Sequence, residues 1–464
     1  MFFRSLEGFS MFAADARHLI VGFGITGLSI AKALNRLGVE KIDAIDSREK
    51  PPHEEEMRRY CQKIATGGFS SALLQQCDYL WVSPGVSIAT PELATTIARL
   101  PAENVGGDIE LFARLVKENI IAITGTNGKS TVTTLVGAIF AQLPYDLYVG
   151  GNLGQPALEL WLASLDRKEK VREPLFILEL SSFQLETTYS LQADIGALLN
   201  LSRDHLDRYR DYEHYVSAKL ALIKQSSEIV IPADEPLIER FLAAELPLRG
   251  EEEIARFSLL DNAKTDYYAS LEKQEIVSRT GEQVSYAATK LRGAHNLLNI
   301  IAAVAIAERF GVSLKAIEAG ISSYQPLAHR SVKVRELDGV TYYNDSKATN
   351  LSSTEAAILG FPERKWLILG GVTKEQDFSP LRELLQKNVA GVALIGNDYS
   401  AILPHIPENI PCFESKTVDV AIEQLKKVAV PGEIILFSPA CSSFDQFKGF
   451  EARGHYFEDL VRAL

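Results

Sequence analysis

Cysteine is scarce and scattered: the 464 residues hold four, Cys61, Cys77, Cys412 and Cys441, with no C-x-x-C pair among them. That spacing excludes a disulfide framework and a thiolate zinc site, and it fits a reducing cytoplasm. Positive charge is in deficit, with 48 Lys and Arg against 60 Asp and Glu and a net charge of −12. Such a chain has no electrostatic reason to approach nucleic acid or an anionic membrane, so neither is expected as a partner and any phosphate affinity must be local. No apolar run is long enough to span a bilayer, so no membrane insertion is expected. The first fourteen residues are rather apolar, but Arg4 and Glu7 interrupt them; no signal-peptide core is continuous, and Met11 is an alternative start to Met1. Repeats and low-complexity tracts are missing too. What remains is the composition of an ordinary globular enzyme, 46% hydrophobic, at a length that predicts three domains.

Short apolar runs alternate with helical stretches almost throughout, which predicts parallel sheets covered by helices on both faces. The first unit reads as strands over 18–23, 41–46 and 79–83 with a helix over 26–37, and it ends near Val105. A helical stretch over 108–118 leads into the central unit, with strands over 175–180 and 195–200. Short polar segments over 251–290 predict a small antiparallel patch, followed by a long helix over 295–310. After a linker over 324–329, strands over 340–344, 366–370, 391–395 and 433–438 build a third α/β unit. Clefts between such units are where ligands usually bind.

The richest stretch is I-A-I-T-G-T-N-G-K-S-T at 121–131, an apolar strand that empties into a glycine-rich turn and then a helix over 131–142. Gly125 and Gly128 let oxygen atoms approach backbone N–H groups, Lys129 adds a point charge, and Ser130 offers a hydroxyl to Mg²⁺. The standard loop, G-x-x-x-x-G-K-[ST], would need glycine where Ile123 stands; here the pattern is two residues shorter. The competing reading is a strand-to-helix turn with a chance Gly-Lys-Ser.

Other motifs carry two readings each. Gly22-Phe-Gly24-Ile-Thr-Gly27 with Asp46 some twenty residues on is a dinucleotide fingerprint that sets Asp46 on a ribose hydroxyl, or else a tight structural turn. Glu179 ends a strand beside Lys129 and Ser130, where it can hold Mg²⁺, or it is a helix-start acid. His205, in D-H-L-D at 204–207, is a ligand or a solvated, capped side chain. Lys219, in a helix over 212–224, would ordinarily be a surface lysine. Asp345 and Thr349, in N-D-S-K-A-T-N at 344–350, serve a ligand or are turn and N-cap residues of the helix over 353–359.

Taken in order, these pieces resemble the Mur ligases from about Leu19 onward. The carriers are G-T-N-G-K-S-T at 125–131, G-G-N-L-G at 150–154, L-E-L-S-S-F-Q-L-E at 178–186, D-H-L-D at 204–207, H-R at 329–330, N-D-S-K-A-T-N at 344–350 and S-P-A-C-S-S-F-D-Q-F at 438–447. The loop followed by V-T-T-L suits the D-glutamate-adding branch. The resemblance implies three α/β domains: a Rossmann-like UDP-substrate domain over 1–105, a central P-loop ATPase-type parallel sheet with a small antiparallel patch over 106–326, and a Rossmann-like amino-acid domain over 327–464. It implies ATP-dependent joining of UDP-N-acetylmuramoyl-L-alanine to D-glutamate through an acyl phosphate, by a cytoplasmic monomer, in peptidoglycan precursor synthesis.

Residue roles follow by position. Lys129, Glu179, His205 and Lys219 form the implied catalytic set. Gly125, Thr126, Asn127, Gly128, Lys129, Ser130 and Thr131, with Asn296, Asn299, Arg330 and Asp345, would hold ATP. Ser130, Glu179, His205 and Lys219 match the magnesium region, where two Mg²⁺ ions are expected and Lys219 carries a CO₂-derived carbamate that turns a cation into an oxygen ligand. The N-terminal fingerprint is reassigned to the UDP-sugar, lined by Ile25, Thr26, Asp46, Ser47, Arg48 and Gly85, with Asn152 and His205 nearer the muramoyl group. Lys347, Thr349, Lys374, Ser443, Phe444 and Phe450 match the D-glutamate positions. Phe444 stands where leucine is expected and Gly449 where asparagine is. The rivals are an NAD-dependent oxidoreductase built on the first domain, a non-catalytic nucleotide switch, and folylpolyglutamate synthetase, whose loop usually reads G-T-N-G-K-G-S.

Overall fold

The computed structural model describes residues 12–13, 15–167, 171–206, 208–262, 264–373 and 376–464. The first sheet is wholly parallel, with β1 (His18–Val21), β2 (Ile42–Asp46), β3 (Lys63–Thr66), β4 (Tyr79–Val82) and β5 (Val105–Gly106) in the order β3-β2-β1-β4-β5. Strand order therefore reverses between β1 and β4, which opens a crevice at their carboxyl ends. The helix Ile25–Arg36 starts there and packs tightly back on β1: a Cβ on Gly27 would lie 1.9 Å from the Gly22 carbonyl oxygen.

The central sheet adds β6 (Asn119–Thr124), β7 (Tyr145–Gly151), β8 (Glu173–Glu179), β9 (Ala193–Leu198), β10 (Ser226–Pro232) and β11 (Ile254–Phe257), all parallel, in the order β11-β10-β9-β6-β8-β7. Its register sets Ile123 opposite Glu179 and Thr124 opposite Leu198, so the phosphate loop, Glu179 and the segment after β9 leave the sheet at one edge. One face is covered by the helices Lys129–Phe140 and Ala294–Arg309, whose Ile300, Ile301, Val304 and Ile306 are fully buried. Each such side chain contributes roughly 1.5–3 kcal/mol of burial free energy, enough to fix the helix against the sheet. The other face shares a single core with the first unit, in which Trp81 and Ile20 join Ile109, Phe112 and Trp161. The antiparallel patch is β12 (Tyr268–Ser270), β13 (Glu275–Val277) and β14 (Gln283–Ser285).

The third sheet runs β15-β16-β20-β17-β18-β19, from β15 (Val332–Leu337), β16 (Val340–Asn344), β17 (Lys365–Gly370), β18 (Val389–Ile395), β19 (Cys412–Lys416) and β20 (Ile434–Phe437). The expected linker delivers β15 as an antiparallel edge strand, turned into β16 by Asp338 and Gly339 at φ 51° and 77°. The other pairs are parallel. No helix among the described residues is long and apolar enough to cross a membrane.

Candidate active site

A cavity of about 430 Å³ lies where the carboxyl edge of the central sheet faces that of the third sheet. Its floor is the phosphate loop. Gly128 caps the helix Lys129–Phe140 in the left-handed region at φ 81°, where an L side chain is strained, and a Cβ there would come within 2.3 Å of Asn299 Oδ1. Lys129 Nζ donates to the carbonyls of Gly125 and Thr126 at 2.8 Å each, which sets its charge at the loop's centre. The Thr126 hydroxyl pairs with the Tyr215 hydroxyl at 2.9 Å and accepts from Ser202 N–H at 3.0 Å, tying the loop to the segment after β9.

Glu179 is buried at the end of β8, with Oε1 accepting from Asn152 Nδ2 at 2.7 Å. The Ser130 hydroxyl sits beside it, yet Oε2 has no well-formed hydrogen bond among the described residues. Burial alone would raise this carboxyl's pKa, but Lys129, Ser130, Asn152 and Arg330 outweigh it and hold the pKa below the usual value. A charged, half-satisfied carboxylate facing a phosphate loop suits a hard cation. Among the described residues no three His, Cys, Asp or Glu side chains form a ready-made metal cage, so any such site would be completed from outside these side chains, by nucleotide oxygens or water.

Lys219 is not the surface lysine that its helix suggests. It is 2% exposed, donates to the Gly125 carbonyl at 2.8 Å and sits 4.9 Å over the Tyr215 ring. Burial, then the neighbouring Lys129 charge, holds its pKa well below the ordinary lysine value, against the pull of Asp204 and Glu179. The helix Tyr212–Lys224 thus carries a buried amine into the phosphate loop. His205 is neither a cap nor freely solvated: it adopts φ 56°, its ring meets Phe183 edge-on at 4.8 Å, and it lines the cavity.

The third unit closes the opposite wall with Arg330, Asp345, Lys347 and Thr349. Asp345 accepts from Ser331 N–H at 3.0 Å and the Ser438 hydroxyl at 2.7 Å; burial still pushes its pKa up to about 7. Burial, then Arg330, lowers Lys347 to about 8. The N-cap of the helix Leu351–Gly360 is Asn350, whose Oδ1 accepts from Ser353 N–H at 2.9 Å, which leaves Thr349 as a wall residue rather than the cap. The two walls touch through Asn127. Its Oδ1 accepts from Asn350 Nδ2 at 3.2 Å and the Ser353 hydroxyl at 2.8 Å, and its Nδ2 donates to Ser352 at 3.2 Å. Asn350 also donates to Asp204 at 3.1 Å.

Thr131, Asn152, Asn296 and Asn299 join the same cavity. Ile25, Thr26, Asp46, Ser47, Arg48 and Gly85 gather instead at the carboxyl edge of the first sheet. Asp46 does not serve there as an open ribose acceptor: Phe23 N–H and the Arg48 guanidinium share Oδ2 at 2.7 Å each, and Arg48 N–H and Nε take Oδ1 at 2.9 Å. With Asp46 buried in that ion pair, Ile25, Ser47, Arg48 and Gly85 form the exposed surface. Ser443, Phe444 and Phe450 lie outside the cavity wall; Phe444 is 73% exposed, and the Phe450 ring carries Lys347 Nζ at 3.9 Å. Lys374 lies outside the described residues. Asn200, Tyr215 and Ser353 were not singled out as site residues, and Asp204 only as part of D-H-L-D, because the role of each depends on a contact more than 70 residues away in sequence.

Three family models tile the chain: a Mur ligase MurD-like N-terminal domain at 16–102, a Mur ligase middle domain at 123–307, and a Mur ligase glutamate ligase domain at 329–441. Proteins named UDP-N-acetylmuramoylalanine--D-glutamate ligase are similar over nearly the full length. That of Nitrosococcus oceani is 40% identical over 456 residues, covering 97% of both chains, and that of Pseudomonas fluorescens is 38% identical, covering 98% of this chain and all of the relative. Solved structures share the fold at low identity. A pseudomurein peptide ligase type C from Methanothermus fervidus has a TM-score of 0.60 at 15% identity, over 96% of this chain and 99% of that one. The MurF ligase from Thermotoga maritima, in complex with ADP, has 0.59 at 18%, over 97% of each. On matches that run through all three sheets and both walls of the cavity, the chain belongs to the Mur ligase family.

Proposed function

We propose that the chain joins the carboxylate of UDP-N-acetylmuramoyl-L-alanine to the amine of D-glutamate, converting ATP to ADP and phosphate. The observation that carries this is the cavity in which a phosphate loop on one unit faces a cationic wall, Arg330 and Lys347, on another. A carboxylate resists amine attack because oxide would have to leave. Its oxygen attacks the γ-phosphorus of ATP, the bond to the ADP oxygen breaks, and the resulting acyl phosphate has phosphate as its leaving group. Lys129 faces the charge that builds between two anionic reactants, in a half-buried setting where a point charge counts for more than in water. Once a base has taken the ammonium proton, the amine attacks the acyl carbon, and the tetrahedral species collapses to the amide as the C–O bond to phosphate breaks and the nitrogen gives up a second proton to solvent.

Ser130, Glu179 and His205, with Lys219 as a carbamate, would hold Mg²⁺, which when bound screens phosphate charge. Asn296, Asn299 and Asp345 would position the nucleoside. Arg48, Ser47 and Gly85 would take the diphosphate end of the first substrate, with Ile25 and Thr26 beside it, the Asp46 pair beneath it, and Asn152 nearer the reacting group. Thr349, Lys347 and Lys374 would face the carboxylates of D-glutamate, with Ser443, Phe444 and Phe450 around its other end. Domains of 1–105, 106–326 and 327–464 suit this division.

Phosphate release from ATP and Mg²⁺ with UDP-N-acetylmuramoyl-L-alanine is expected with D-glutamate alone, when L-glutamate, L-alanine, L-lysine and meso-diaminopimelate are run in parallel. Release with another amino acid would overturn the acceptor, and release with none would overturn the reaction. Gly128→Ala probes the loop itself. Strain at positive φ costs roughly 1–2 kcal/mol, and the new methyl meets Asn299, so a fluorescent nucleotide should bind at least ~10-fold more weakly. Unchanged affinity would remove Asn299 as the reason for glycine.

A further inference from the structure

The turn that carries His205 holds a second side chain with no part in the chemistry above. Arg208 N–H donates to the His205 carbonyl at 3.0 Å, so the two residues close one turn. The Arg208 guanidinium then leaves the central unit. One arm donates to the Pro84 carbonyl at 2.6 Å and the other to the Val86 carbonyl at 3.1 Å, on either side of Gly85 in the loop that ends β4. It also pairs with Glu186 at 3.2 Å and lies 3.9 Å over the Phe183 ring, the same ring whose face or edge meets His205. Only 13% of the side chain is exposed. A planar fork suits this place because it can span two carbonyls while its flat face rests on an aromatic ring; an ammonium would reach one of them at most.

We propose that Arg208 is a positioning residue that sets the working length of the UDP-linked substrate. It fixes the Gly85 loop, where the diphosphate end is read to bind, at a set reach from His205 and the phosphate loop, where the carboxylate must react. The inference rests on the function proposed above. Binding energy from a remote part of a substrate assists reaction only when the remote site and the reacting site are held rigidly together. A loop that drifts still binds the nucleotide but no longer delivers the carboxylate.

Arg208→Met keeps apolar cover over Phe183 and removes every bond the guanidinium donates. Its kcat with UDP-N-acetylmuramoyl-L-alanine is expected to fall ~10-fold or more, while the Kd for UDP and the KM for ATP stay within about twofold. Unchanged kcat overturns the proposal. So does a UDP affinity or an ATP KM that worsens in step with kcat, since that marks a shaped pocket or a loosened fold. Arg208→Lys, which keeps the charge, is read by the same three quantities and decides the matter if the Met variant does not fold. Wild-type enzyme that fails to bind UDP or to turn over would instead defeat the functional reading, independently of Arg208.

Discussion

Lys129→Ala is expected to lower ATP-dependent turnover by about 10³-fold while leaving affinity for UDP within about twofold. The reasoning is spatial. Lys129 Nζ is fixed by two carbonyls of its own loop, so its charge sits where γ-phosphate oxygens would gather, and Glu179 is the acid most coupled to it. The surface assigned to UDP belongs to another sheet and touches none of these atoms. Stopped-flow phosphate release and calorimetric titration with UDP measure the two quantities separately. Lost UDP affinity would mean that both ends of the substrate meet in one unit, contrary to the assignment here. Removing Lys129 also relieves a neighbour, for its charge is the second cause, after burial, of the lowered Lys219 pKa.

Lys219→Ala is expected to cost a similar factor, about 10³-fold, and to abolish any response to bicarbonate. CO₂ adds only to a neutral amine: the nitrogen lone pair bonds carbon, one proton leaves, and a carbamate anion replaces a base. An ordinary lysine is almost wholly ammonium at neutral pH, whereas burial beside Lys129 depresses the Lys219 pKa and supplies the neutral form. The sign follows: acidification reprotonates the amine and removes the reactive species, so activity restored by bicarbonate should fall as pH falls. Enzyme stripped of CO₂ is expected to regain turnover on adding bicarbonate, and the alanine variant to regain part of it with formate or acetate. A variant deaf to every small carboxylate, or wild type indifferent to CO₂, would leave Lys219 as a buried amine with a packing role.

How much of this was readable beforehand depended on range. The phosphate loop was legible because its strand, glycines, Lys129 and Ser130 are contiguous, and Glu179 because parallel strands must bring their carboxyl ends to one edge. β6, β8 and β9 of the central sheet and β16, β17, β18 and β20 of the third were legible as short apolar runs; β10 was passed over, and β11, read as part of the antiparallel patch, is a parallel strand of the central sheet. β7 was not legible, since five of its first six residues are only half-buried and it ends in Gly150-Gly151, and β3 was missed for the same want of a buried face. Lys219 was legible only through the resemblance, because a helix register says which residues share a face and not what that face meets. Asp46 was found by spacing alone, which says nothing of its pairing with Arg48, two residues on. Arg208 was invisible for want of any local signal: its meaning lies in carbonyls more than 120 residues upstream.

The clasp at Asn127 joins the phosphate loop to the helix that follows Thr349, so on the proposed function nucleotide and acceptor would share one thermodynamic cycle. A residue of the loop that would cradle phosphates also holds the N-cap of the helix following Thr349, so whatever shifts that loop shifts the acceptor wall, and the reverse. If nucleotide tightens acceptor binding by some factor, acceptor must tighten nucleotide by the same factor, whichever arrives first. On the proposed function, an acceptor that steadies this contact would also favour phosphoryl transfer, so ATP hydrolysis is expected to be slower when the acceptor is absent.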